Sequence, residues 1–387
     1  MYQILTLNKI SNKGTDLFDK SKYEIGDNAQ NPTAVLVRSA SMHESELGSN
    51  LVAIARAGAG TNNIPIDKCT KEGIVVFNTP GANANAVKEL VLLGTLISSR
   101  KVPAALDWVK TLKGKGDEVG KLVEKGKSQF VGPEISGKKL GVIGLGAIGA
   151  LVANAASHLG MKVYGVDPYL SVQGALHLEK DVVYLKSYKE IFETCDYITL
   201  HVPLTPDTKE IINAETISQM KDNVRILNFS RGDLVNSKDV IDGISSGKIA
   251  AYVTDFPNDE LLGVDGVIAL PHLGASTPES EENCAVMAVN ELIDYIENGD
   301  ITNSVNLPNV NVAKTGDAKI CVIHKNLEGL ITKIAGVASD NKLNIENMVS
   351  KSKKEYAYTV LDVKGNVSDE IIKKLNDIDT VIRVRVV

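Results

Sequence analysis

Three polar residues with side chains suited to acid–base chemistry each follow a separate apolar, strand-like run. Arg231 follows the run that ends at Leu227, Glu260 follows the run that ends at Val253, and His272 follows the last such run. An imidazole can take a proton from a hydroxyl while hydride leaves the same carbon, a carboxylate can orient that ring, and a guanidinium can hold a substrate carboxylate. A lone His after a strand is usually a loop hydrogen-bonding residue and Arg-Gly is often a turn. The placement of all three after strands nevertheless favours a catalytic trio.

A glycine-rich loop predicts a dinucleotide site. Gly144, Gly146 and Gly149 form a GxGxxG pattern between a strand-like run and a helical run. The first glycine permits a tight turn, the second lets the backbone approach a pyrophosphate, and the third lets helix and strand pack closely. Asp167 ends the next run, where a carboxylate would bind the ribose 2′-hydroxyl and repel a 2′-phosphate. The sequence therefore predicts NAD rather than NADP, the alternative being an exposed carboxylate at a strand end.

Two series of strand-like runs alternate with helical patterns and predict parallel sheets. The carboxyl ends of parallel strands meet at one edge of a sheet, so the trio can converge there. A helical pattern from about residue 86 to beyond 96 separates the series, and we interpret it as a domain crossing. The first series has runs at 34–37, 52–55 and 74–77, and the second has runs at 140–143, 162–166, 197–200, 224–227, 250–253 and 267–270.

The last part of the chain has its own pattern. The polar, Asn-rich segment 299–317 indicates an interdomain linker. Residues 318–387 follow a strand–helix–strand–strand–helix–strand pattern, which predicts a ferredoxin-like βαββαβ domain.

Composition narrows the class of protein. A formal net charge of −6 argues against general binding to nucleic acid or to an anionic membrane. No apolar stretch is long enough to span a bilayer, and residues 1–7 indicate a strand rather than a signal peptide, so we expect a cytoplasmic protein. The four cysteines are far apart without a CxxC pattern, which indicates buried reduced thiols and no metal site.

These motifs resemble those of the D-isomer-specific 2-hydroxyacid dehydrogenases over nearly the whole chain. The matching segments are the GxGxxG loop, 200–205, 228–232, 254–260 and 271–277. The resemblance implies an NAD-dependent oxidoreductase in which Arg231, Glu260 and His272 are the catalytic set. It implies cofactor contacts from Gly144, Gly146, Ala147, Ile148, Gly149, Asp167, His201, Val202, Pro203, Thr208, Phe229, Ser230, Arg231, Asp255, His272, Gly274 and Ala275.

Segments 36–40, 54–63 and 77–80 are similar to those of family members that act on a phosphorylated 2-hydroxy acid. A carboxylate and a phosphate require cationic and amide donors. The resemblance implies such donors at Arg38, Ser39, Ala57, Gly58, Ala59, Gly60, Asn83 and Lys127. Phe229, Ala40 and the absence of Pro after Glu260 depart from the family pattern. Glycerate, lactate or 2-oxoglutarate remain alternative substrates, and an NADH-sensing protein similar to the dehydrogenase-like corepressors remains an alternative class.

The tail resembles an ACT domain, a small-molecule sensor fused to enzymes of amino-acid metabolism. The resemblance implies contacts with an L-serine effector from His324, Asn326 and Asn344. Leu327-Glu328-Gly329 departs from the usual pattern there, and a dimerisation module without a ligand is the alternative.

We therefore predict an α/β protein that forms a homo-oligomer through helices of its nucleotide domain. It would contain two doubly wound parallel-sheet domains, one flavodoxin-like and substrate-binding, the other a Rossmann nucleotide domain, and a C-terminal ferredoxin-like ACT domain. The predicted bounds are 1–95 with 280–305 for the substrate domain, 96–279 for the NAD domain, 306–317 for the linker and 318–387 for the ACT regulatory domain.

Overall fold

A computed structural model describes all 387 residues, and the chain folds into two compact units. Unit 1 comprises Met1–Asn83 and Pro278–Val387, and unit 2 comprises Ala84–Thr277. No helix combines the length and apolar character needed to cross a membrane.

The first part of unit 1 is a five-stranded parallel sheet in the flavodoxin-like order β2-β1-β3-β4-β5. All four residues of β3 are buried, as expected where a parallel sheet is covered on both faces. The sequence analysis missed β2, which mixes polar and apolar residues and lies at the sheet edge. The elements are β1 (Tyr2–Leu7), α1 (Asn12–Thr15), β2 (Tyr23–Gly26), β3 (Ala34–Val37), β4 (Ala53–Arg56), α2 (Ile66–Lys71) and β5 (Val75–Phe77).

Unit 2 is a seven-stranded parallel sheet with helices, in the order β12-β11-β10-β9-β6-β7-β8. This is the Rossmann arrangement, with the switch in strand order between β6 and β9. All six predicted strands are present, and the two-residue strand β8 was missed. The elements are α3 (Ala84–Arg100), α4 (Val102–Lys110), α5 (Val119–Gly126), β6 (Lys139–Ile143), α6 (Ala147–His158), β7 (Lys162–Val166), α7 (Val172–Leu176), β8 (Val183–Tyr184), α8 (Tyr188–Thr194), β9 (Tyr197–Leu200), α9 (Ala214–Gln219), β10 (Val224–Asn228), α10 (Ser237–Ser245), β11 (Ile249–Thr254) and β12 (Val267–Ala269).

The helix α3 belongs wholly to unit 2, whereas the predicted boundary at 95/96 would have cut it. Val87 and Val91 of this helix share a buried core with Leu227 and Phe229 of the Rossmann sheet. The two compact units meet in sequence at 83/84 and at 277/278.

The remainder of unit 1 consists of a long helix and the predicted βαββαβ tail. The tail forms an antiparallel sheet in the order β14-β15-β13-β16, which confirms the ferredoxin-like arrangement. The elements are α11 (Pro278–Ile293) with a π-helical turn (Asp294–Asn298), β13 (Ala318–Lys325), α12 (Leu330–Asp340), β14 (Asn344–Lys353), β15 (Tyr356–Lys364), α13 (Asp369–Asn376) and β16 (Val381–Val386).

Cations of the tail sheet bind the carbonyl end of the α11 helix. The Arg385 guanidinium donates to the carbonyls of Tyr295 and Ile296, at 3.1 and 3.0 Å. The Lys319 ammonium, 2% exposed, donates to the carbonyl of Asn298 at 2.8 Å. Helix-end carbonyls carry partial negative charge, so these cations complement it and fasten the tail sheet to the helix.

The predicted linker 306–317 is packed rather than extended through solvent. Leu307 and Val310 are each 1% exposed and lie in the core of unit 1. The carboxylate of Asp362 accepts hydrogen bonds from the backbone and the hydroxyl of Thr315, at 2.8 and 2.6 Å. This packing explains why the tail falls within unit 1 and not in a unit of its own.

Candidate active site

The glycine-rich loop forms the tight turn that its spacing predicts. Gly144 has φ +93°, a conformation that favours glycine. A Cβ on Gly149 would lie 1.9 Å from the carbonyl oxygen of Gly144, so only glycine permits this approach of helix to strand. Gly146 caps α6, and both it and Ala147 are exposed at the helix N-terminus. The loop thus presents backbone N–H groups and the positive end of a helix dipole.

Asp167 lies at the end of β7 beside this loop. Its Oδ2 accepts a hydrogen bond from the Leu145 amide at 2.9 Å, and its Oδ1 accepts one from the Tyr169 amide at 2.8 Å. These bonds hold the half-buried carboxylate beside the glycine-rich loop.

His201 follows β9 and carries a buried polar atom. Its Nε2 lies 3.0 Å from the Thr199 hydroxyl, whereas its Nδ1 is buried and has no hydrogen-bond partner in the protein. Burial lowers the pKa of His201 to about 3, so its ring is neutral at physiological pH. The Nδ1 atom of this neutral imidazole is therefore left without a hydrogen-bond partner within the protein.

A network around Asn228 holds the turn that carries Arg231. Asn228 is fully buried, accepts from the Ser230 amide at 3.2 Å and donates to the carbonyl of Arg231 at 2.8 Å. The Ser230 hydroxyl donates to the carbonyl of Leu200 at 2.6 Å, which ties the turn to the neighbouring strand. Arg231 is left exposed. The sequence analysis assigned Asn228 no role, although an Asn that directly follows an apolar strand is a signal for such a turn.

Phe229 packs inward, which explains its departure from the family pattern. Its side chain is 6% exposed, and a Cβ on Gly94 of α3 would lie 2.9 Å from the ring. The missing side chain of Gly94 makes room for the aromatic ring. Phe229 can therefore reach a cofactor through its backbone but not through its side chain.

Asp255 joins the loops that follow β11 and β12. It is 1% exposed, and its Oδ2 accepts a hydrogen bond from the Gly274 amide at 3.1 Å, while its Oδ1 is buried without a protein partner. Burial raises the pKa of this carboxyl above its ordinary value. The adjoining Phe256 packs its ring against His272, with ring centroids 4.6 Å apart. The sequence analysis missed Phe256 because nothing in the pattern reveals a contact between the two loops.

Glu260 lies in the loop after β11 but does not bond to His272 in this structure. Both side chains are exposed, and neither a hydrogen bond nor an ion pair joins them. Glu260 instead lines a polar cavity of about 380 Å³ with Lys209, Asp233 and Lys238. The three members of the predicted trio thus follow β10, β11 and β12, three adjacent strands of one parallel sheet, without direct contacts among them.

The remaining predicted cofactor residues lie on the same sheet edge. Val202 and Pro203 follow β9, Ile148 lies in the first turn of α6, and Ala275 follows Gly274 after β12. The Thr208 hydroxyl donates to the carbonyl of Pro203 at 2.6 Å and shapes the loop after β9.

The predicted substrate residues of unit 1 follow consecutive strands of its parallel sheet. Arg38 and Ser39 follow β3, residues 57–60 follow β4, and Asn83 comes after β5. The Arg38 guanidinium lies 2.6 Å from a carboxylate oxygen of Glu281 on α11. These residues thus occupy the edge of the sheet where open α/β folds bind ligands.

Lys127 lies in unit 2, in the short turn after α5. Its ammonium is exposed and pairs with Glu124, one helical turn earlier. Nothing in unit 2 connects it with the predicted cofactor residues.

The three predicted effector residues do not form one pocket within a chain. His324 is 2% exposed, and its two ring nitrogens contact the carbonyl of Lys325 and the hydroxyl of Thr359. Asn326 follows the end of β13, whereas Asn344 begins β14. The register of the sheet puts these two asparagines at opposite ends of β15, roughly 30 Å apart at about 3.4 Å per residue.

The residues at the Rossmann edge fit a dinucleotide. The glycine loop leaves backbone donors for a diphosphate, Asp167 provides a carboxylate for a ribose, and Asp255 Oδ1 is an orphaned buried acceptor. These donors and acceptors match the polar groups of NAD in kind.

Comparisons with known proteins agree with this geometry. The model for the NAD-binding domain of D-isomer specific 2-hydroxyacid dehydrogenases matches residues 92–274, and the model for the AHAS small subunit-like ACT domain matches residues 320–383. The chain is 33% identical over 353 residues to the D-3-phosphoglycerate dehydrogenase of Haemophilus influenzae, covering 88% of this chain and 82% of that enzyme. It is 30% identical to that of a Synechocystis species, covering 100% of this chain and 71% of that enzyme.

A solved structure is also similar. The NAD⁺-bound 3-phosphoglycerate dehydrogenase of Entamoeba histolytica superimposes with a TM-score of 0.61 at 26% identity, covering 79% of this chain and 98% of that one. The chain belongs to the D-isomer-specific 2-hydroxyacid dehydrogenase family, which confirms the prediction of an NAD-dependent oxidoreductase. Within that family it is similar to the D-3-phosphoglycerate dehydrogenases.

Proposed function

We propose that this protein oxidises D-3-phosphoglycerate with NAD to 3-phosphooxypyruvate and NADH, the first step of L-serine biosynthesis. The observation that carries the proposal is the placement of Arg231, Glu260 and His272 after three adjacent strands of a Rossmann sheet. The names of the curated relatives supply the choice of substrate.

We assign the proton transfer to His272. The imidazole takes the proton of the substrate C2 hydroxyl as the C2 hydride departs, because an unperturbed imidazole titrates near neutral pH. Bound NAD⁺ supplies the hydride acceptor. We assign to the Glu260 carboxylate the role of orienting the imidazole and stabilising the imidazolium. The Arg231 guanidinium holds the substrate carboxylate and polarises the developing carbonyl.

We assign recognition of the phosphate and carboxylate to unit 1. Arg38 provides a planar cation with several N–H donors, and the backbone amides of residues 57–60 follow the adjacent strand. Asn83 adds an amide donor in unit 1, and Lys127 of unit 2 is a further proposed cation for the substrate.

The test is the rate of NADH formation by purified protein on D-3-phosphoglycerate, D-glycerate, D-lactate and D-2-hydroxyglutarate. We expect kcat/KM to be at least tenfold higher for the phosphorylated substrate. Equal or better activity on an unphosphorylated acid would favour another dehydrogenase of the family. NADH binding without turnover of any hydroxy acid would favour the corepressor-like alternative.

We also infer a homo-oligomer that associates through α3 and α4. These helices expose five large apolar side chains, between 37 and 59% accessible, those of Leu93, Leu96, Val102, Leu106 and Val109. Exposed apolar patches of this kind mark association surfaces. Light scattering would test this assignment, since a monomer at micromolar concentration would contradict it.

We further propose that the protein is cytoplasmic and that L-serine binds its ACT domain. All four cysteines are free and buried, as expected of reduced thiols. Because Asn326 and Asn344 lie at opposite ends of the sheet, an effector that touches both requires two copies of the domain. Calorimetry with L-serine, and with D-serine as control, tests the effector.

A further inference from the structure

The loop after β3 is held by hydrogen bonds with neighbouring side chains. The Asn8 side-chain oxygen accepts hydrogen bonds from the amides of Ser39 and Ala40, at 3.0 and 2.7 Å. The carbonyl of Arg38 accepts from the Arg56 side-chain Nε at 3.0 Å. Two backbone amides of this loop are therefore occupied, and the Arg38 guanidinium is the cationic group that the loop offers to an anion.

Glu281 holds that guanidinium. Its Oε1 lies 2.6 Å from Arg38 Nη2, and the two side chains are 43 and 41% exposed. The contact engages a single guanidinium nitrogen, while an Arg side chain offers five N–H donors. The remaining donors stay available to a ligand while the side chain is held in one orientation.

The support of Glu281 is itself rigid. It lies in the first turns of α11, whose residues Ala285 and Ala288 are buried in the core of unit 1. A Cβ on Gly14 of α1 would lie 2.6 Å from the Ala285 backbone, so these helices pack in close contact. The far end of the helix is fastened by the cations of the tail sheet. The Glu281 carboxylate is therefore held in place, and it can orient the long, flexible side chain of Arg38.

We propose that Glu281 is a positioning residue that orients Arg38 for the phosphate of the substrate and so sets the preference for a phosphorylated over an unphosphorylated 2-hydroxy acid. This inference deepens the proposed function and rests on it. An Arg side chain has large rotamer freedom, and orienting it before the ligand arrives lowers the entropic cost of binding. The benefit appears in substrate affinity and not in the chemical step.

The experiment compares Glu281→Ala and Glu281→Gln with the wild type in steady-state assays on D-3-phosphoglycerate and D-glycerate. We expect Glu281→Ala to raise the KM for D-3-phosphoglycerate about 5- to 10-fold, with kcat and the KM for D-glycerate within twofold of wild type. Glu281→Gln keeps a hydrogen-bond acceptor and should restore part of the affinity. Glu282→Gln is the matched control, since Glu282 pairs with Lys13 at 2.6 Å, and it should leave both KM values unchanged.

Three results would overturn the assignment. A lower KM in Glu281→Ala would mean that the carboxylate opposes the anion, and an unchanged KM would mean that it has no role. A rise in KM of equal size when Glu281→Ala is added to Arg38→Gln would mean that Glu281 does not act through Arg38.

A binding measurement separates this inference from the proposed function. If the wild type fails to reduce NAD with D-3-phosphoglycerate, the proposed function fails. Calorimetric titration with D-3-phosphoglycerate then tests the role of Glu281. We expect the wild type to bind this compound, and Glu281→Ala to bind it 5- to 10-fold more weakly. No binding to the wild type would overturn the inference as well.

Discussion

The carboxylate of Asp255 accepts a hydrogen bond from the amide of Gly274 at 3.1 Å, across 19 residues of sequence. The bond ties the loop that carries Phe256 and Glu260 to the loop that carries His272. The second oxygen of Asp255 is buried without a protein partner, at the sheet edge where the predicted cofactor residues lie. We interpret this oxygen as an acceptor for the nicotinamide end of NAD.

Asp255→Asn should weaken NADH binding. The amide oxygen can keep the bond to Gly274, but the amide nitrogen cannot accept the hydrogen bond that we assign to the second oxygen. Loss of a buried acceptor costs about 1–3 kcal/mol, so we expect the Kd for NADH to rise about 5- to 150-fold by fluorescence titration. Asp259→Asn, an exposed carboxylate of the same loop, is the control. Equal affinity in all three proteins would contradict the interpretation of Asp255.

Asp167→Asn should shift cofactor use from NAD towards NADP. The amide oxygen can still accept from Leu145, so the loop is retained while the negative charge that repels a 2′-phosphate is removed. We expect the ratio of kcat/KM for NAD to that for NADP to fall at least tenfold. Asp181→Asn, which alters an exposed carboxylate of the same unit, should leave the ratio unchanged. A ratio that stays the same in Asp167→Asn would show that this residue does not face the ribose.

The buried carboxyl of Glu291 predicts a loss of stability with rising pH. The side chain is 5% exposed, and it accepts one hydrogen bond from Asn303, at 2.8 Å. Burial, the largest cause, raises the pKa of Glu291 to about 8 from an ordinary value of 4.5. Its stabilising contribution is therefore complete below about pH 4.5 and is lost as the pH rises through 8. At about 1.4 kcal/mol per pKa unit, the loss is on the order of 5 kcal/mol.

Urea unfolding at several pH values checks this prediction. Compared with the wild type, Glu291→Gln should gain relative stability between pH 5 and about pH 8 and then level off, because the amide stays neutral. Glu279→Gln on the exposed face of the same helix should follow the wild type. If the difference between wild type and Glu291→Gln does not depend on pH, Glu291 does not titrate in this range.

Lys319→Met should loosen the attachment of the tail sheet. The ammonium also lies 3.1 Å from Asp300, whose side chain is 14% exposed, so its removal leaves a nearly buried carboxylate unpaired. Breaking a buried pair costs about 3–5 kcal/mol in the free energy of unfolding. Lys364→Met is the control, because the Lys364–Glu346 pair is largely exposed and contributes about 1 kcal/mol or less. Similar losses in both variants would contradict the role assigned to the buried pair.

The sequence predicted the two parallel sheets because their strands are continuous apolar runs between turn residues. It missed β2 and β8, which are short, partly polar and at sheet edges, and it missed α4 and α5, which bury no residues. The GxGxxG loop was predictable since its constraints are local. The packing of the 306–317 segment was not, because it depends on Asp362, a residue far along the chain.

The candidate site likewise has features that the sequence predicts and features that it does not. Residue types after each strand pointed to Arg231, Glu260 and His272, and the topology brings their loops to one sheet edge. Side-chain direction was not readable, so neither the packing of His272 on Phe256 nor the inward turn of Phe229 could be predicted. The pairing of Glu281 with Arg38 joins residues 243 positions apart, which no local pattern reveals.

The most direct test of the central claim is the initial rate of NADH formation with D-3-phosphoglycerate by wild type and by His272→Gln. Loss of a general base lowers the rate by about 10²- to 10⁴-fold. We expect a fall of that size in kcat, with the Kd for NADH within threefold of wild type. A His272→Gln protein that keeps more than a tenth of the wild-type kcat would contradict the assignment of the acid–base chemistry to this residue.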